Sequence, residues 1–283
     1  MPLSAIGLLF GSALLHTAWN LLIKQAGEKF ISSWWAMLIG SLLFLPAIFI
    51  LGLPARSTWL FLGISASAEV AYFIVLSYAY DDSDFSLVYP IGRGAAPAFI
   101  AAWSVLFLRE SLSPGGIAGL VIIILGLLIV GSSNLFQAGG ARALKGIWLP
   151  LLLALSISIY SVVDGAAVKH TGPLSYAALI YLLGCICMTP YILRRRGWQK
   201  IRDEFSAHHW RLALTGVLIV VAYLMALWAF RLSSVSYSGA IREMSVVIGA
   251  VAGWQLLGEK FGPARVAGSA VIFAGILVIA VWG

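Results

Sequence analysis

The feature that most limits how this chain can fold is a succession of long, uninterrupted apolar runs. Ten can be marked, at 3–26, 31–51, 57–80, 85–108, 114–133, 146–169, 173–193, 210–231, 235–257 and 263–282. Each is about 20 residues long, the length an α-helix needs to cross a hydrocarbon core about 30 Å thick. Strands of a membrane barrel alternate polar and apolar residues over about ten positions, and these runs do not alternate. The breaks are short and polar, as in Gly27-Glu28-Lys29, Asp81-Asp82-Ser83-Asp84, Arg109-Glu110 and residues 142–145. The pattern predicts an all-α integral membrane protein with ten transmembrane helices and no room for a soluble domain. The first run carries His16 and Asn20 and lacks a basic leader before it, so it is expected to remain as a helix rather than be cleaved.

The charges agree with this reading. Charged residues make up 10% of the chain and hydrophobic residues 61%, against about 25% charged in soluble domains. That balance excludes a soluble enzyme, a disordered chain and a nucleic-acid-binding module. The formal charge of +7 belongs to loops. Six of the 18 Lys and Arg residues, Arg194, Arg195, Arg196, Lys200, Arg202 and Arg211, fall between the seventh and eighth runs or at the very start of the eighth. The positive-inside rule places that loop in the cytoplasm and both termini outside. Cys185 and Cys187 lie within an apolar run, so they read as packing residues and not as a disulfide framework.

Residues 93–128 align with 242–277 at a constant offset of 149. The identities include Arg93/Arg242, Glu110/Glu259, Pro114/Pro263, Gly119/Gly268 and Gly126/Gly275. The offset pairs helices four and five with helices nine and ten, and extends simply to five helices plus five, over 1–134 and 145–283. An odd number of spans per repeat gives the two halves opposite orientations. Inverted repeats of this kind build many secondary transporters, with the substrate site near the midplane between the halves.

The stretch Leu108-Arg109-Glu110 with Ser113-Pro114, Gly119 and Gly126 resembles the EamA-type repeat of the drug/metabolite transporter superfamily. So does Leu257-Gly258-Glu259-Lys260 with Pro263, Gly268 and Gly275. Leu15-His16-Thr17-Ala18-Trp19-Asn20 with Lys24, and Tyr89-Pro90-Ile91-Gly92-Arg93-Gly94, resemble a narrower bacterial subgroup associated with phosphonate utilisation. The resemblance implies two such repeats, a multi-pass protein of the bacterial inner membrane, and both termini in the cytoplasm. The last point conflicts with the positive-inside count, so the side is open while the shared side of the termini is not.

In the repeats, Ser113 and Pro114 read as an N-cap and first helical residue. Glu110 and Glu259 just before these helix starts read as turn clamps. Gly119 and Gly126, like Gly268 and Gly275, share a helix face suited to close packing in lipid. Helices five and ten are therefore expected to brace the molecule, and to offer a face for a homodimer.

A charge inside a span costs about 2.5–3.5 kcal/mol on the insertion scale, and such residues face cavities or partners. They are Glu69, Arg93, Asp164, Arg242 and Glu243, with His16 and Asn20 as polar companions. Helices one, three, four, six, eight and nine are expected to line the cavity. Arg93 would engage an anionic group of the cargo, oriented by Asn20, His16 and Tyr89. Glu69 would carry a coupling proton or a substrate ammonium. Arg242 would lie near Asp164 or Glu243. Trp19, Tyr72, Tyr223 and Trp228 are candidate wall residues.

No phosphate loop of Walker type, no H-E-x-x-H motif and no nucleophile elbow is present in the sequence. The expected function is secondary transport of a small polar metabolite, such as an amino acid or an organophosphonate, by alternating access. An uncoupled facilitator of the same fold is the alternative, and a membrane-embedded enzyme a distant one. Neither a cofactor nor a metal is expected; the partners are the substrate and the bilayer.

Overall fold

A computed structural model describes residues 1–82, 85–135, 148–257 and 263–283. Among these residues every regular element is helical, and the protein is an all-α membrane protein. In chain order the helices are α1 (Leu3–Lys24), α2 (Lys29–Phe44), α3 (Pro46–Leu51), α4 (Trp59–Asp82), α5 (Phe85–Leu108), α6 (Pro114–Leu135), α7 (Trp148–Ala167), α8 (Pro173–Leu232), α9 (Val235–Arg242), α10 (Met244–Leu257) and α11 (Pro263–Trp282).

Four expected spans have a different internal build. The second is divided at Leu45, because Pro46 cannot donate to the helix ladder. The seventh and eighth run together as α8, 60 residues long. At 1.5 Å per residue this is about 90 Å, far more than one crossing needs. The run is interrupted by non-helical backbone at Gly197 and His208, which bracket much of the basic loop. The ninth is broken at Glu243, where α9 ends and α10 begins.

Five described stretches are long and apolar enough to cross a bilayer: Leu3–Lys24, Lys29–Leu51, Arg56–Leu76, Trp148–Ala167 and Pro173–Leu232. Shorter apolar helices cover Ala95–Leu108, Pro114–Ile129 and Val266–Trp282.

The glycines of α6 and α11 pack against each other within the chain. A Cβ on Gly119 would lie 2.9 Å from the Gly275 carbonyl oxygen, and one on Gly275 would lie 2.8 Å from that of Gly119. One on Gly126 would lie 2.8 Å from the Gly268 oxygen. Rising numbers on one helix meet falling numbers on the other, so the two helices cross antiparallel. Hydrogen in place of Cβ is what permits the approach. The small faces that suggested a homodimer are thus occupied inside one molecule. The outer face of this pair carries Val121, Leu125, Leu128, Phe273 and Leu277, all exposed.

Ser113 caps α6 as expected. Its hydroxyl accepts the Gly116 N–H at 2.9 Å and donates to the Trp282 carbonyl at 2.7 Å, tying the start of α6 to the end of α11. Its own N–H donates to the Tyr237 hydroxyl of α9 at 2.9 Å.

Candidate functional site

The residues that the apolar spans could least easily hold converge in the middle of the bundle. His16, Glu69, Arg93, Asp164, Arg242 and Glu243 are all buried. A narrow cavity of about 20 Å³ lies against three of them, room for about one water molecule. Its polar wall is His16 from α1, Glu69 from α4 and Arg242 from the last turn of α9. Six aromatic rings complete most of it: Trp19, Tyr72, Phe73, Tyr160, Tyr181 and Tyr223.

Arg242 and Glu69 are the charged groups of this wall. The Arg242 guanidinium lies over the Tyr223 ring, 5.3 Å from its centroid. Its Nε has no hydrogen-bond partner, and among the described residues no carboxylate lies within ion-pair distance of it. Asp164 and Glu243 lie near enough to feel the Arg242 charge, as expected, but neither makes a direct ion-pair contact with it. The Glu69 carboxylate likewise accepts no side-chain hydrogen bond among the described residues, and lines the cavity.

Asp164 stands behind the wall. Its carboxylate accepts hydrogen bonds from the Tyr176 hydroxyl at 2.7 Å and from the Tyr223 hydroxyl. Tyr223 therefore has two roles: its ring underlies Arg242 and its hydroxyl binds Asp164.

Arg93 is not a wall residue, and this corrects its expected role as the ligand for an anionic cargo. Its Nη1 donates to Glu243 at 3.1 Å in an ion pair that is almost fully buried. Its Nη2 is hydrogen-bonded to His16 Nε2. The guanidinium is already committed, and it ties α5 to the α9–α10 break and to α1. Asn20 donates its amide to the His16 carbonyl of the same helix at 2.8 Å and does not line the cavity. The Tyr89 side chain and Glu259 lie outside the described residues.

Other wall expectations change as well. Among the described side chains, helix α5 reaches the cavity through the Arg93–His16 contact. The first part of α8, not expected to contribute, supplies Tyr181. Tyr160 of α7 is a further addition. Neither tyrosine carries a spacing signal that separates it from a packing residue. Trp228 is 41% exposed and lies under Arg231, 5.6 Å from Cζ to ring centroid. It is a surface anchor and not a wall residue.

Glu110 clamps a helix start, but across the molecule. Its carboxylate accepts the backbone N–H groups of Val235 at 2.6 Å and Ser236 at 3.1 Å, and the Ser236 hydroxyl at 2.5 Å. These are the first residues of α9, whose exposed N–H groups favour a negative partner. One end of α9 is thus held by Glu110 and the other carries Arg242 into the cavity. Nearby, the Lys169 ammonium donates to the Ser233 carbonyl at 3.2 Å. Burial pushes its pKa below the ordinary lysine value, with the Glu110 carboxylate acting in the opposite direction.

Comparison with known proteins agrees with the architecture. The model of the EamA-like transporter family matches residues 3–132 and 144–281. A protein of Archaeoglobus fulgidus described as an uncharacterized transporter is 22% identical over 225 residues, covering 77% of this chain and 75% of that protein. A crystal structure of a protein 16% identical superposes with a TM-score of 0.79 over 99% of both chains; at that identity it speaks for the fold alone.

Proposed function

Since the chain belongs to the EamA-like transporter family, we propose that it is a secondary transporter of a small polar metabolite carrying an anionic group. An amino acid or an organophosphonate fits this description. One observation carries the reading: Arg242 and Glu69 share a narrow, aromatic-walled cavity, and neither is in an ion pair among the described residues. Buried charges that act on each other only at a distance, without a direct ion-pair contact, are costly, and a ligand that makes those contacts lowers the cost. Arg242 takes the anionic group in place of Arg93, by charge-assisted hydrogen bonds. Glu69 takes an ammonium group or a coupling proton. Around them the rings of Trp19 and Tyr223 offer faces to a cation and apolar walls to the rest of the molecule.

In this reading the chain forms ten spans in two inverted five-helix repeats, 1–134 and 145–283, in a bacterial inner membrane. The antiparallel glycine crossing of α6 and α11 supports that arrangement. Transport then proceeds by alternating access around a fixed midplane site. A homodimer, if formed through these two helices, would use their outer face.

The test is uptake of amino acids and organophosphonates into proteoliposomes, with and without an imposed pH gradient. Concentrative uptake driven by the gradient, abolished in Arg242→Ala and Glu69→Gln, is the expected result. Parent-like transport in both variants would place the site elsewhere. Equilibrating transport that ignores the gradient would favour an uncoupled facilitator of the same fold.

A further inference from the structure

A ligand-sized space lies outside the central cavity. A vestibule of about 680 Å³ opens where α5 and α7 end and α8 gives way to α9. Small-molecule sites typically enclose about 300–1,000 Å³, so this space can hold what the central cavity, at its present size, cannot. Arg109, Glu110, Lys169 and His170 are its ionisable lining residues.

Their charges are not equally available. The Glu110 carboxylate is turned onto the first turn of α9 by three hydrogen bonds. The Lys169 ammonium is directed to the carbonyls of Arg231 and Ser233. Arg109 and His170 are exposed, and neither has an ion-pair partner among the described residues.

Arg109 also occupies a backbone conformation that its residue type disfavours. Its φ is +54°, and no other described non-glycine residue has a positive φ. In the repeat the position 149 residues on is Gly258, the residue type that takes a left-handed backbone freely. An arginine held where glycine would be less strained points to a use for the side chain. That side chain lies at the edge of the vestibule, whose floor includes the junction into α9. Eight residues along, α9 ends at Arg242 in the central cavity.

We propose that this vestibule is an anion-binding site, in which Arg109 and His170 hold a phosphate or carboxylate group. A soluble anion and a lipid head group share this chemistry; a volume that can take a whole small molecule favours the soluble anion. The site is independent of the transport reading, because it can be tested by binding alone.

The experiment is an NMR titration of protein carrying isotope-labelled histidine in phosphatidylcholine nanodiscs, with inorganic phosphate as the probe and chloride at matched ionic strength as the reference. The His170 signal is identified by its loss in His170→Gln. A saturable shift of that signal is expected in the parent protein and, with an affinity within about twofold, in Arg242→Ala. Arg109→Gly should weaken it at least about tenfold while melting no lower than the parent, since glycine suits the turn. Absence of a saturable shift in the parent, or unchanged affinity in Arg109→Gly, would overturn the proposal. Loss in Arg242→Ala with retention in Arg109→Gly would also overturn it, moving the anion to the central cavity. A response to phosphatidylglycerol nanodiscs that inorganic phosphate does not reproduce would assign the pair to lipid head groups and overturn the soluble-anion site.

Discussion

Arg242 and Glu243 are adjacent in the chain, yet they serve two different structures. Arg242 ends α9 with its guanidinium over Tyr223 in the cavity wall. Glu243 sits at the break before α10 and pairs with Arg93 of α5. Successive residues of a helix point about 100° apart, and here the interruption falls at the residue where the two tasks diverge. Irregular backbone at membrane depth is tolerated where it is buried in protein or lines a cavity.

The Arg93–Glu243 pair is expected to be structural. Arg93→Met should destabilise the protein by about 3–5 kcal/mol, because it leaves a buried carboxylate unpaired. The double variant Arg93→Met/Glu243→Leu should recover most of that loss. Unfolding titrations in mixed micelles measure both. A double variant as unstable as the single one would mean that the pair is needed for more than mutual neutralisation.

Glu110→Ala should loosen α9 at its Glu110-bound end. Three hydrogen bonds to one carboxylate disappear, and charge-assisted bonds contribute about 1.5–3 kcal/mol each before solvent replaces them. A net loss of about 1–3 kcal/mol is expected. In a background lacking Cys185 and Cys187, a cysteine placed at Ala166 should react faster with a polar thiol reagent when Glu110 is replaced. An unchanged rate would show that the helix is held without the cap.

The glycine crossing can be tested against an internal control. Gly126→Val should cost about 1–3 kcal/mol through overpacking, because the opposing atom is the Gly268 carbonyl oxygen and cannot rotate away. Gly7→Ala meets nothing within 4 Å and should raise the melting temperature slightly, since alanine is the better helix former. Equal effects at the two positions would contradict the packing described.

Tyr223→Phe separates the two roles of that residue. The ring under Arg242 remains, while Asp164 keeps only Tyr176 of its two tyrosine donors. A loss of about 1–3 kcal/mol in stability is expected, with ligand affinity little changed. Trp228→Ala, on the outer surface, should stay within about 0.5 kcal/mol of the parent. Melting curves with and without ligand distinguish these outcomes.

Much of the architecture is legible in the sequence because hydrocarbon thickness imposes a length on each apolar run. Burial is legible too: His16, Glu69, Arg93, Asp164 and Arg242 all lie within apolar runs, and all are buried. Azimuth is not. Which way Arg93 turns depends on how α5 packs against α7, α6 and α9, and no periodicity in α5 records that. Its charge therefore predicted a ligand-binding arginine, whereas the fold spends it on Glu243 and His16 and leaves Arg242 to the cavity. Tyr160 and Tyr181 escaped for a related reason: an aromatic residue in an apolar helix looks the same whether it faces a cavity or a neighbour. Glu110 shows the converse. Its residue type and its place beside a helix start identified a clamp, but only the tertiary fold reveals that the helix it caps lies in the other half of the chain.

The central cavity, with room for about one water molecule, bears on how any affinity for this protein should be read. If the protein carries a metabolite as proposed, a conformation with so small a cavity belongs to the non-binding population. Ligand engages whichever conformers have opened, and the apparent dissociation constant equals the intrinsic one divided by their fraction. A weak equilibrium affinity would then report scarcity of open molecules as much as poor contacts. Variants that loosen the closed form could bind more tightly while touching no part of the ligand.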